Sequence, residues 1–416
     1  MILTFYKVKD CKILNIADAY QDKPKHGIPS FSFIDSYNTY NGTPIYGDNI
    51  EVDTIATFDK NKKYDYLIFD GYDTLDNLDI KNIYIDTIIL SHSGEFIEPF
   101  ELKEKNQKLK SLNITCKRKI VLSPIEEYKH ETLGWEMFLS PFAGLRFFQH
   151  YTNHASINPI YERETLLGLE WTDDKKEKLF SCLVGEGRPD RKIFTNELKK
   201  SEVENRGYTT WNGRKTFDSK YTDIDIHGKN PDRFKIQPEL AKNSYIEIQC
   251  ETLPIDKSTF ITEKAAKPFL GLQFPIFFAQ PNYIQYLRDW GFDMFDDIID
   301  HSYDKIPTMR EKSDSGKSFL KKSKLIVKEI EKLSKLDIHK LYLECKDRFL
   351  NNQKRLFELV HIDNNRHEEM AKFVFGNVYE CKEIENPYLY KNWHPNKWNS
   401  FGKKEILKKF GISLDL

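Results

Sequence analysis

The 416-residue chain contains only six cysteines (Cys11, Cys116, Cys182, Cys250, Cys345 and Cys381), and no two of them form a CxxC pair. Thiols scattered in this way argue against a disulfide framework or a cysteine zinc site, and for a reducing compartment. No stretch approaches the roughly 18 apolar residues that a membrane-spanning helix needs. The opening MILTFYKVKDCKILN lacks the basic, then apolar, then small-residue order of a signal peptide. The expectation is a soluble, cytoplasmic protein with no integral membrane segment. An excess of one charge is missing too. With 63 Lys and Arg against 64 Asp and Glu the net charge is −1, so nothing draws the whole chain to nucleic acid or anionic lipid. A complete Walker motif, GxxxxGK[ST], is absent, which removes the usual sequence ground for a kinase or ligase. His150 and His154 stand four apart, but Tyr151 follows His150 where a metalloprotease would have glutamate. They read as ordinary histidines, and no metal site is expected.

What is present suits two α/β cores. The length exceeds one ordinary domain, and hydrophobic residues make up 39% of the chain, aromatics 14%. Ile2–Val8 is a first strand. Tyr66–Phe69, Thr87–Leu90 and Lys119–Leu122 are short continuous apolar runs, each followed by turn residues, as in buried parallel strands. The loops after them carry Asp70, Asp73, His92, Glu95 and Glu98. Residues 141–170 hold proline and glycine stops and read as a crossover. The run 178–187 is a strand that enters Gly185-Glu186-Gly187-Arg188-Pro189-Asp190-Arg191 and then a helix over 192–201. A glycine turn between strand and helix lets backbone approach a phosphate, and guanidinium groups grip phosphate with two hydrogen bonds. The competing reading pairs Arg188 and Arg191 with Glu186, Asp190 or Glu197. Asp223-Ile224-Asp225 has metal-binding spacing but follows no strong strand, and reads as a solvated loop.

The most informative stretch is 244–303. Tyr245–Gln249 is a strand that ends at Glu251, and Thr262 is an N-cap for a helix over 263–270, with Glu263 and Lys264 in its first turn. Pro275–Ala279 is a second strand, and Ile284–Trp290 an aromatic helix stopped by Gly291. Glu263 suits ribose hydroxyls and Lys264 a phosphate; the plainer reading is a first-turn glutamate and an exposed lysine. Two long charged helices follow, over 318–336 and 338–359. The lysine-rich stretch 317–335, interleaved with Glu329 and Glu331, reads as a solvated face. The aromatic tail 386–416 reads as docked on the body of the protein.

The ordered series Thr262-Glu263-Lys264, Lys267-Pro268, a strand, Pro281, Tyr286-Leu287-Arg288 and Gly291-Phe292 resembles the donor half of GT-B glycosyltransferases. The resemblance covers roughly residues 175–305 and is strongest to α-1,3-fucosyltransferase-like enzymes and related phage and bacterial sugar transferases. It implies an α/β fold of two Rossmann-like domains facing a cleft, with a C-terminal helical brace. The boundaries are an acceptor domain over 1–145, a crossover over 146–174, a nucleotide-sugar donor domain over 175–307, and helices plus tail over 308–416. In that family the Thr-Glu-Lys element touches the nucleotide-sugar and an arginine at the first donor helix contacts pyrophosphate. Arg191 is the better match and Arg188 the second. With Glu251 added for its place at the end of its strand, the donor-binding set expected is Arg188, Arg191, Glu251, Thr262, Glu263 and Lys264. A base for the acceptor hydroxyl comes from Asp70, Glu95 or His92.

The function expected is metal-independent transfer of a hexosyl or pentosyl group from a nucleotide-sugar, which is a co-substrate, with no cofactor. The acceptor is a glycan, a lipid-linked sugar or a modified base in DNA. The alternatives are a phage-type DNA glycosyltransferase acting on a hydroxylated base, and a non-catalytic scaffold that binds sugar-nucleotides.

Overall fold

A computed structural model describes residues 5–8, 11–16, 45–46, 50–53, 57–70, 80–91, 99–123, 133–139, 168–184, 188–211, 214–215, 237–251, 261–308, 316–376 and 378–381. His92, Glu95, the two histidines at 150 and 154, the doublet at 223–225 and the aromatic tail lie outside these residues. So do the side chains of Asp70 and Glu263. The chain divides into two compact units.

The first unit is built within Met1–Ala143 and Ile362–Ser400. Its strands are β1 (Phe5–Val8), β2 (Cys11–Asn15), β3 (Ile45–Tyr46), β4 (Ile50–Asp53), β5 (Tyr64–Asp70), β6 (Tyr84–Ser91), β7 (Thr115–Ser123) and β8 (Glu136–Leu139), with helix α1 (Pro99–Ser111) between β6 and β7. Six strands form a parallel sheet in the order β4-β2-β5-β6-β7-β8. Successive residues of each strand feed opposite faces, because side chains alternate across a sheet. Leu67, Phe69, Ile88, Leu90 and Val121 pack with Leu102 and Leu109 of α1. Ile68, Ile89 and Ile120 form the other face with Val374, Phe373 and Phe375. Continuous apolar runs are what a sheet covered on both faces requires.

The second unit lies within Gly144–His361. Its elements are β9 (Lys178–Leu183), α2 (Pro189–Lys199), β10 (Gly207–Trp211), β11 (Arg214–Lys215), α3 (Pro238–Lys242), β12 (Ser244–Cys250), α4 (Ala266–Leu270), β13 (Phe274–Phe278), α5 (Tyr283–Asp289), α6 (Lys317–Leu333), α7 (Ile338–Glu344) and α8 (Lys346–Phe375). The sheet order is β11-β10-β9-β12-β13, parallel except for the β10–β11 pair. β12 and β13 are buried along their whole length. Phe194 of α2 stacks on Phe278 of β13 at 5.1 Å, and Phe278 meets Phe319 of α6. α6 turns Phe319, Ile326, Ile330 and Leu333 inward at helical spacing, which makes it amphipathic and not merely charged.

Sequence periodicity suggests one helix over 338–359; the structure has two. Asp337 caps α7 by accepting the Lys340 N–H, and a break at Cys345 starts α8, whose last turns reach Phe375 and belong to the first unit. Gly291 ends α5 with φ +90, a left-handed value that a residue without Cβ adopts at little cost.

Candidate active site

Parallel α/β sheets bind ligands outside the carboxyl ends of their strands, where following helices point their N-termini. In the second unit that edge carries four of the charged residues singled out from sequence: Arg188, Arg191, Glu251 and Lys264. α2 starts there with Arg188 at its N-cap and Pro189 in its first turn, and the Arg188 side chain makes no capping hydrogen bond. Arg188 is half-buried.

Arg191, one turn into α2, is only 8% exposed. Its Nη2 donates to the carbonyls of Cys250 and Glu251, each at 3.2 Å, and its buried Nε has no partner. The guanidinium thus sits across the end of β12 and, among the described residues, its partners are carbonyls and not carboxylates. Asp190 beside it is 5% exposed, and its Oδ2 is also buried without a partner. Helix geometry explains the burial: residues 190, 191, 194, 195 and 198 share the inward stripe of α2. Two adjacent charged side chains with unsatisfied buried atoms are unusual, since native structures leave few such groups.

Glu251 follows β12 and is 1% exposed. Its amide donates to the Phe278 carbonyl, which ties it to β13. One carboxylate oxygen accepts from the Thr262 hydroxyl at 2.7 Å, the other from the Tyr283 hydroxyl at 2.5 Å. Thr262 stands before a 3-10 turn over Glu263–Ala265, which leads into α4. Its hydroxyl oxygen lies 3.2 Å from the Lys264 amide and 3.3 Å from the Lys264 ammonium. Thr262 therefore caps a 3-10 turn, with the α-helix beginning only at Ala266.

Arg191, Glu251, Thr262 and Lys264 are thus brought together, from parts of the chain 60 residues apart in the case of Arg191 and Glu251. The backbone of Glu263 lies in the same turn, and that of Asp70 ends β5 in the first unit. Sequence reasoning missed Tyr283, which stands just before the helix expected over 284–290. It missed Asp304 and Lys322 as well. The Asp304 carboxylate accepts the N–H groups of Ile284 at 3.1 Å and Gln285 at 3.4 Å. Lys322, fully buried, donates to the Ala279 carbonyl at 2.6 Å. A lysine in the apolar stripe of α6 is the one signal that could have found it.

Beneath this edge, on the same face of β12 as Glu251, lie Gln249 and Glu247. The Glu247 carboxyl accepts from the Ser181 hydroxyl and the Gln249 amide. Burial pushes it up to about 7, against the opposing pull of the Ser181 hydrogen bond and the Lys267 charge. A separate hollow of about 650 Å³ runs along α5 past Arg288, Asp296 and Asp304. Its acids are engaged, Asp296 by Arg288 at 2.5 Å and Asp304 by the start of α5. The strand-end cluster, with unsatisfied charge, is the better site. Among the described residues no group of three or more His, Cys, Asp or Glu could hold a metal ion. Nor is any helix there long and apolar enough to cross a membrane.

Fold and cluster together define a mainly parallel α/β protein with charged side chains gathered at the strand ends of its second sheet. No protein-family model matches the chain, and no curated protein does. Two solved structures are similar to it. One, described as alpha1,3-fucosyltransferase, has a TM-score of 0.42 and 11% identity over 91% of this chain and 93% of its own. The other, described as alpha1,3-fucosyltransferase with GDP-fucose, has a TM-score of 0.32 and 11% identity over 86% and 91%. Identities this low leave the chemistry to be read from the side chains.

Proposed function

We propose that the protein is a glycosyltransferase that moves a sugar from a nucleotide-sugar to an acceptor hydroxyl. One observation carries this reading. The Arg191 guanidinium is buried at the strand ends with an unpartnered Nε and, among the described residues, no carboxylate against it. A buried cation is expensive unless something anionic pairs with it, and a diphosphate supplies such a charge. As the glycosidic bond breaks, negative charge grows on the leaving diphosphate. Preorganised cations aimed at it lower the barrier by amounts that other enzymes lose, about 100- to 1,000-fold in rate, when a single donor is removed.

In this reading Arg191 and Lys264 stabilise the leaving group, Arg188 and the open N-terminus of α2 assist, and Glu263 accepts the ribose hydroxyls. The Asp190 carboxylate takes a hydroxyl of the same ligand. The two cationic side chains supply the charge neutralisation for which other transferases use a divalent ion, so the reaction runs without metal or cofactor. The acceptor hydroxyl gives its proton to Asp70, Glu95 or His92 as its oxygen attacks the anomeric carbon and the carbon–oxygen bond to the diphosphate breaks. The acceptor is a glycan, and a modified DNA base is the alternative.

The test is a panel of nucleotide-sugars, with GDP-fucose among them, offered to the purified protein. At least one should be transferred or hydrolysed, and its nucleoside diphosphate should bind. Arg191→Met should lower the rate about 100-fold or more while the protein still unfolds cooperatively. If no member of the panel is turned over or shifts the melting temperature, the reading fails.

A further inference from the structure

The hydroxyl of Tyr283 is not needed to pack its ring. The ring is fully buried, 5.0 Å from that of Phe277, and phenylalanine would fill the same space. The backbone that carries it is held on both sides. Lys322 grips the Ala279 carbonyl before the turn, Asn282 takes a left-handed φ of 62, and Asp304 accepts the amides of Ile284 and Gln285 after it. A hydroxyl presented this firmly to a carboxylate has a purpose other than filling space.

Proton counting shows what it does. A threonine hydroxyl has one proton to give and two lone pairs to offer. Thr262 spends its proton on Glu251, which leaves its lone pairs turned to the Lys264 amide and ammonium. Glu251 is only 1% exposed, so donors from the protein and not water fix the orientation of its carboxylate. Tyr283 is one of them, on the oxygen that Thr262 does not use.

We infer that Tyr283 is a positioning residue for Lys264: through Glu251 and Thr262 its hydroxyl sets where the ammonium stands at the strand-end site. Glu251 is then the middle of a relay and not a ligand contact. The inference rests on the diphosphate reading only for what Lys264 meets, and the relay itself is within the protein.

The test uses the full-length protein and the nucleoside diphosphates GDP, UDP and ADP as probes. Tyr283→Phe should weaken binding of whichever diphosphate binds about tenfold, equivalent to about 1.4 kcal/mol, with little change in melting temperature. In a Lys264→Met background the same change should have no further effect, because the group it positions is gone. Equal weakening in both backgrounds, or none in the wild-type background, overturns the relay. Amide hydrogen exchange gives an independent reading. The Lys264 amide should exchange several-fold faster in Tyr283→Phe while the amides of β13 keep their protection, and unchanged exchange at Lys264 also overturns it. If the wild-type protein binds none of the three diphosphates, the diphosphate reading falls, and the exchange experiment still decides the relay.

Discussion

Individual residues decide the chemistry, and Asp190 and Arg191 are the informative pair. They stand next to each other on α2, both buried, yet each keeps an unsatisfied polar atom. If stability were their purpose they would be paired with each other, since an isolated buried charge weakens a fold. We expect Asp190→Asn to weaken binding of a nucleotide-sugar about tenfold, the effect of losing one hydrogen bond to a charged group. Binding of the matching nucleoside diphosphate should change much less, because the amide still cannot accept as a carboxylate does but the diphosphate does not need it to. Calorimetric titration of the two ligands side by side checks this, and a parallel loss for both would contradict it. The arginine is legible in the sequence, because a glycine turn followed by two arginines is a known way to approach phosphate. Its unsatisfied state is not, because pairing with Glu186, Asp190 or Glu197 reads equally well until the side chains are placed.

Elements decide how these residues are held. The turn from β13 into α5 illustrates this, since its proline, left-handed Asn282 and tyrosine are anchored from outside by Asp304 and Lys322. Asp304 lies 20 residues beyond Ile284 yet acts as the cap for the start of α5. Burial pushes its carboxyl up, opposed by those amides and by the Lys322 charge. Asp304→Ala should therefore cost about 1–2 kcal/mol, the usual loss when a helix start gives up its capping acceptor. Urea unfolding should show a lower midpoint with an unchanged slope. Strands and helices of the second unit were legible from apolar runs and Gly291, because local propensity and tertiary packing agree there. The single helix expected over 338–359 was not found, because a break at Cys345 interrupts a pattern that periodicity alone carries through.

For the molecule as a whole, stability should carry the imprint of the buried polar stripe on β12. Glu247 is pushed up to about 7 in the folded protein from an ordinary value of 4.5. The folded state therefore binds a proton that the unfolded chain has released between those values. The contribution is present in full below pH 4.5 and is lost as pH rises to about 7, a change of roughly 3 kcal/mol. Denaturant unfolding from about pH 4.5 to about pH 8 should show that decline, and Glu247→Gln should flatten it; a variant with the wild-type slope would remove Glu247 as the cause. By itself the sequence determined that the chain is an α/β protein of two cores with parallel strands, because buried strands and amphipathic helices announce themselves through local apolar patterns. It also pointed to Arg191 and Lys264 as residues suited to phosphate. Only the tertiary structure decided that these two gather at one strand edge, that Glu251 is spent on internal hydrogen bonds, and that Tyr283, Asp304 and Lys322 complete the setting. The physical reason is range: propensity acts over a few neighbouring residues, whereas a hydrogen bond between groups 20 or 60 positions apart exists only once the sheet has brought them together.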